Sequence, residues 1–153
     1  MKITVEPNSL YKVGDKIFGN IYFGDNEYVF PEKEWNDFVV IIFNWWSESI
    51  LKLLKKVSIE EELDFMDGPA SVKVQFLENN SFCLYFVLNN EVVNSIEVDV
   101  RLFTKEFLNT INLLIRTIKE NKWADEEIDS LLENYKRLQK CFVEYLRNEK
   151  LTE

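Results

Sequence analysis

"FVVIIFNWWSES" (residues 38–49) is the most apolar stretch of the chain, and taken alone it reads equally as a buried strand, a helix or a membrane anchor. Its neighbours decide. Trp35, Phe38, Val39, Ile42, Trp46, Ile50, Leu53 and Val57 recur at steps of three and four, and Asp37, Asn44, Glu48, Lys52 and Lys55 form the polar stripe of the same wheel, interrupted at Ile41. The period is that of an amphipathic helix. The run "VVII" lowers helix propensity locally, but about six turns of consistent periodicity outweigh it. Pro31 suits a first helical turn; Glu32, Glu34 and Asp37 would meet the positive end of the helix dipole, and Lys52, Lys55 and Lys56 the negative end. The apolar segment is far short of the roughly 20 residues needed to span a bilayer. The stretch therefore predicts the spine of a central helix with a wide buried face. Within it Trp45 and Trp46 point about 100° apart. With Trp46 in the core, Trp45 falls at the margin, where it either covers a neighbouring strand or anchors a partner.

Upstream lie short extended candidates, "KITVE" at 2–6, "KIFGNIYFG" at 16–24 and "EYVF" at 27–30, separated by the turn chemistries "PNS", "VGD" and "GDN". Gly24, Asp25 and Asn26 suit a tight turn, so an N-terminal β-hairpin is expected. Downstream, strict alternation marks an antiparallel meander with one wet and one packed face. Val72, Val74 and Phe76 alternate with Lys73 and Gln75; Phe82, Leu84, Phe86 and Leu88 share a face; Ile96, Val98 and Val100 alternate with Glu97, Asp99 and Arg101. Leu63 and Phe65 point inward from a fourth strand that ends in a turn at Asp67, Gly68 and Pro69, and "ENNS" and "NNE" make the other hairpin turns.

The last third is helical. Thr104 is placed to cap a helix whose buried stripe is Phe107, Ile111, Leu114, Ile115 and Ile118; "ENKWADEE" breaks it. Asp125 then caps a final helix with Ile128, Leu131, Leu132, Tyr135, Leu138, Phe142, Tyr145 and Leu146 on one side, and the tail "RNEKLTE" is expected to fray. Strands and helices in separate runs predict an α+β class: an antiparallel sheet (a meander plus an N-terminal hairpin) packed against the central helix and two C-terminal helices, as a single domain over 1–153.

Chemistry is constrained by what is missing. The chain has no histidine, which removes the commonest general base and every Ser-His or Cys-His nucleophile pair. Cys83 and Cys141, far apart and flanked by apolar residues, read as small buried hydrophobes and cannot build a zinc site. With 4 Gly there is no phosphate-cradling loop. No cofactor and no metal is expected, and the chain is read as a non-enzyme. What remains for catalysis is carboxylate chemistry, so a carboxylate-dependent enzyme is a third reading.

The acids concentrate in "SIEEELD" (Glu60, Glu61, Glu62, Asp64) and "ADEEIDSLLE" (Asp125, Glu126, Glu127, Asp129, Glu133). Such runs usually form solvated faces. The net charge of −9 disfavours nucleic acid and anionic lipid and favours a basic protein partner, with these two clusters as steering surface and Trp45 as anchor. Reduced cysteines and the lack of an apolar signal segment in "MKITVEPNSL" point to the cytoplasm.

Taken together, "VFPEKEWNDFVVIIFNWW", "LDFMDGPASVKVQF" and the two C-terminal helices give the chain a resemblance to the small acidic immunity proteins of bacterial polymorphic-toxin systems. The resemblance implies a cytosolic protein that binds a cognate toxin domain and blocks its active site. A small-ligand or regulatory module, with Tyr11, Tyr22, Tyr28, Trp35 and Trp123 lining a groove, is the alternative. Homodimer formation through Leu138, Phe142 and Tyr145 stays open beside both.

Overall fold

A computed structural model describes residues 1–66, 68–123 and 126–152. The chain runs β1 (Lys2–Val5), β2 (Tyr11–Val13), β3 (Lys16–Gly24), β4 (Val29–Phe30), β5 (Asn36–Phe38), α1 (Val39–Leu54), β6 (Glu60–Asp64), β7 (Ala70–Leu77), β8 (Ser81–Leu88), β9 (Glu91–Asp99), α2 (Val100–Glu120) and α3 (Glu126–Thr152). The class is α+β, as expected. No helix among the described residues is long and apolar enough to cross a membrane.

The meander forms one four-stranded antiparallel sheet in the order β6-β7-β8-β9. Its inner rows carry Leu63, Val72, Val74, Phe82, Leu84 and Phe86, all buried, because strand residues two apart share a face. Leu88 departs from this row and is exposed at the hairpin end. Asn89 and Asn90, both at positive φ, close the β8–β9 turn between the paired Leu88 and Glu91.

The N-terminal part is more than a hairpin. β3 is the centre of a second sheet in which β1 and β4 pair with its C-terminal half and β2 and β5 with its N-terminal half. The β3–β4 turn is held by Asp25, whose Oδ1 accepts the N–H groups of Glu27 and Tyr28, both at 2.8 Å. Those bonds hold its carboxyl below the usual carboxylate range.

The central helix starts later than its periodicity suggests. Asn36, Asp37 and Phe38 pair with Asn20, Gly19 and Phe18 of β3, so α1 begins at Val39 with no acidic residue in its first turn. Pro31 follows a cis peptide bond outside the helix and Glu34 has φ 65, so neither joins it. Asp37 is not on a wet stripe but buried. From Val39 to Leu53 the expected spine holds, with Val39, Ile42, Trp46, Ile50 and Leu53 buried against both sheets and α3, whereas Val57, expected on the same stripe, lies beyond the end of the helix and is exposed.

Two further expectations are corrected. α2 is capped by Asp99, whose Oδ1 accepts the Arg101 and Leu102 N–H groups at 2.8 and 3.1 Å. Thr104 lies inside the helix, buried, with no hydrogen-bond partner for its hydroxyl among the described residues. The strand ends at Asp99 because a side-chain acceptor two residues before the exposed amides turns the backbone into a helix. α3 runs on through "RNEKLT" instead of stopping before it. The expected cap Asp125 and turn residue Asp67 lie outside the described residues. Cys141 is buried and Cys83 only half-buried, on the outer face of β8; both are free thiols.

The buried residues of both sheets and all three helices join in a single cluster. At its centre Trp46 packs with Phe23, Phe43 and Phe65, ring centroids 5.2 to 5.6 Å apart. Its indole N–H donates to the Asp64 carbonyl at 2.9 Å, which ties α1 to β6.

Candidate partner-binding surface

α1 contacts β6 on one side and α3 on the other, and only a narrow strip of it reaches solvent. Along that strip stand Trp45, Glu48 and Lys52, at helical steps of three and four. Trp45 is 47% exposed, while its neighbour Trp46 is fully buried. An indole half in water has most of one apolar face still to bury, which makes it the natural anchor of the strip.

β6 borders the strip. α1 and β6 run in opposite directions, since Trp46 meets Asp64 and Lys52 approaches Glu61 at 3.9 Å. Glu61 also accepts the Ser58 hydroxyl at 3.0 Å. Alternation turns Glu60, Glu62 and Asp64 the other way, onto the outer face of the sheet. Glu60 pairs with Lys73 at 3.1 Å. Among the described residues Glu62 and Asp64 form no ion pair, and they stand two apart on one strand face. The Asp64 carboxyl is raised above its ordinary value, first by partial burial and then by the charge and hydrogen bond of Glu62 beside it.

On the far side of the strip, α3 is fastened to α1 by Asn134 donating to Asn44 Oδ1 at 2.8 Å and by Arg137 on Glu48 at 2.9 Å. Glu133 stands one turn before Arg137 and Asp129 one turn before that, both exposed on the outward side of α3. Glu126 and Glu127 belong to the backbone of this helix, and their side chains, like Asp125, lie outside the described residues. The two acidic clusters thus flank the Trp45 strip and do not merge into one flat face.

The aromatic groove candidates are dispersed, with Trp123 packed against the core just after α2. Tyr11 stacks on Phe18, which meets Phe38, in a row across β2, β3 and β5. Tyr22 donates to Glu6 Oε1 at 3.0 Å, Tyr28 lies on Phe86, and the Trp35 indole is held by Asp37. Tyr22 and Tyr28 share a shallow depression of about 500 Å³ with Lys2, Thr4 and Lys33. That depression is polar and solvent-lined, unlike the apolar pockets that take drug-sized ligands. Among the described residues no group of three or more acids and cysteines converges as metal ligands would.

The exposure of Trp45 was open in the sequence, because the helix period places it at the core margin without saying what covers that margin. The isolation of Glu62 and Asp64 was not legible at all, since it depends on Lys73 reaching to Glu60. No protein-family model, no curated protein and no solved structure matches this chain.

Proposed function

We propose that the chain is a non-catalytic binding protein of immunity or antitoxin type, which engages a basic protein through the Trp45 strip of α1 and the β6 acids beside it. The observation that carries this reading is the Glu62–Asp64 pair. Two carboxylates side by side on the outer face of β6, with no ion pair among the described residues, gain when a partner's lysine or arginine comes between them. Trp45 adds an apolar anchor within reach of the same partner, and the net charge of −9 accelerates encounter with a basic one. The resemblance of the chain to small acidic immunity proteins points the same way.

The test is capture from the native host's lysate and secreted fraction with the wild-type protein, followed by kinetics of the captured partner against variants. Glu62→Lys with Asp64→Lys lowers the association rate by about tenfold or more at low salt, and the loss fades as salt rises. Trp45→Ala acts mainly on dissociation, and urea unfolding of the free variant separates that effect from the stability lost with the buried half of the indole. Asp129→Lys with Glu133→Lys, on the far flank, has the smaller effect. A partner held equally by all variants and at all salt concentrations overturns the proposal.

A further inference from the structure

The opposite edge of the same sheet is built differently. β6 is closed by α1 and by β5 before it: the Trp46 indole N–H donates to the Asp64 carbonyl at 2.9 Å, and just past the strand the Met66 N–H donates to the Asp37 carboxylate at 3.1 Å. β9 is the last strand in the order, nine residues long, and pairs with β8 alone. From Glu91 to Ser95 every residue is exposed, on both faces of the strand. Val92 and Val93 are 59% and 49% exposed, at the irregularity in register opposite Phe86 and Val87. The Ser95 N–H is turned to the side chain of Asn94 (Oδ1, 2.9 Å), a local acceptor that an incoming carbonyl would replace. A long edge with exposed valines and unpaired backbone groups is a template for another strand.

The charges on this edge select its occupant. Glu91, Glu97 and Asp99 are the charged residues of β9, and no lysine, arginine or proline interrupts it. Pairing with a second copy through this edge brings an edge whose charged residues are all acidic against an identical one, between two chains that each carry a net charge of −9, so self-pairing is disfavoured. A groove of about 530 Å³ continues the edge at its C-terminal end, between β9, the β3–β4 turn and the start of α2. Leu102, 67% exposed, and Phe103 give it an apolar wall; Asp25, Glu97, Asp99 and Glu106 give it negative charge, against Lys2 and the Met1 amino group among its described lining residues. An arginine or lysine suits such a groove, its stem on Leu102 and its head among the carboxylates.

We infer that the β9 edge accepts an extended, basic segment of a protein partner as an added antiparallel strand, with alternate lysine or arginine side chains on one face meeting Glu97 and the acidic groove. This surface is distinct from the Trp45 strip and does not depend on it. Strand addition draws affinity from main-chain hydrogen bonds and specificity from alternate side chains.

The test uses a blocked nine-residue peptide of alternating lysine and valine, and the same peptide with proline at its centre, against the full-length protein. The alternating peptide is expected to protect the β9 amides from hydrogen exchange, and Glu97→Lys with Glu106→Lys to abolish that protection. The proline version, equal in charge but broken as a strand, binds at least about tenfold more weakly. Equal binding of the two peptides, or protection confined to the β6 side, overturns strand addition while leaving the Trp45 reading intact. A protein that dimerises alone, with dimerisation lost in Val93→Lys, shows a second copy to be the occupant and also overturns it.

Discussion

Asp37 is the residue on which the local structure turns. Its carboxylate is buried yet supplied with donors: the Trp35 indole N–H at 3.0 Å and the Met66 N–H at 3.1 Å on Oδ2, and the Phe38 N–H at 2.8 Å on Oδ1. These bonds join the segment before α1, the first residue flanking the helix and the segment after β6. A buried charge is tolerated only when hydrogen bonds replace its water, and here they also fix where the strand stops and the helix starts. Asp37→Ala leaves the main-chain and indole donors without this acceptor and is expected to cost about 3–5 kcal/mol. Asp37→Asn, which keeps one acceptor oxygen, costs less. Urea unfolding of the two variants checks both; a loss below about 1 kcal/mol for the alanine variant refutes the role.

At the scale of elements, the ends of α1 and α2 share one device. Lys56 and Lys122, at φ 59 and 60, occupy the left-handed position after each helix. In α1 the Lys56 and Val57 N–H groups return to the Leu53 and Lys52 carbonyls; in α2 those of Lys122 and Trp123 return to Lys119 and Ile118. This is the double hydrogen-bond closure usually completed by glycine. A lysine there bears the steric cost of a left-handed backbone, so Lys56→Gly and Lys122→Gly are each expected to stabilise by about 0.5–1 kcal/mol after glycine's larger unfolded-state entropy is subtracted. Higher urea midpoints at unchanged slope would show it, and lower midpoints would refute it. The stop of α2 was legible in "ENKWADEE", but the stop of α1 was not, because lysine carries no turn signal. Neither were β2 and β5: at three residues each they are too short to display a period, and Trp35 and Phe38 of the β5 segment happen to continue the three-and-four spacing of α1. The meander was legible because β6, β7 and β8 run five to eight residues with one face packed and the other wet; the first half of β9, exposed on both faces, shows no such alternation. Of the candidate surface, residue types and net sign could be read, whereas pairing could not: which acid meets which lysine depends on register between strands.

The whole molecule is closed by α3, which touches α1 through Asn134 and Arg137 and reaches the β7–β8 turn through Tyr145, whose hydroxyl donates to Asn80 Oδ1 at 2.8 Å. That last contact makes the fold sensitive to alkali. Burial, followed by the charges of Glu149 and Asp99, pushes the Tyr145 phenol up to about 12. An unfolded tyrosine titrates near 10. Below about pH 10 both states hold the proton and the contribution is constant. Between about 10 and 12 the unfolded chain releases it while the folded chain keeps it, so the folded state binds more protons and stability falls as pH rises. Tyr145→Phe loses the hydrogen bond to Asn80 and is expected to be about 0.5–1.5 kcal/mol less stable at pH 7. It has no phenol at this position to titrate, so its deficit shrinks as pH rises from 10 toward 12. Tyr22 and Tyr28 are also raised, by burial first, but they are present in both proteins and drop out of the difference. Urea midpoints of the pair at pH 7, 9.5 and 11 decide the matter: a converging gap places the alkaline sensitivity at the α3–turn contact, and a constant gap shows that Tyr145 titrates alike in the folded and unfolded chain.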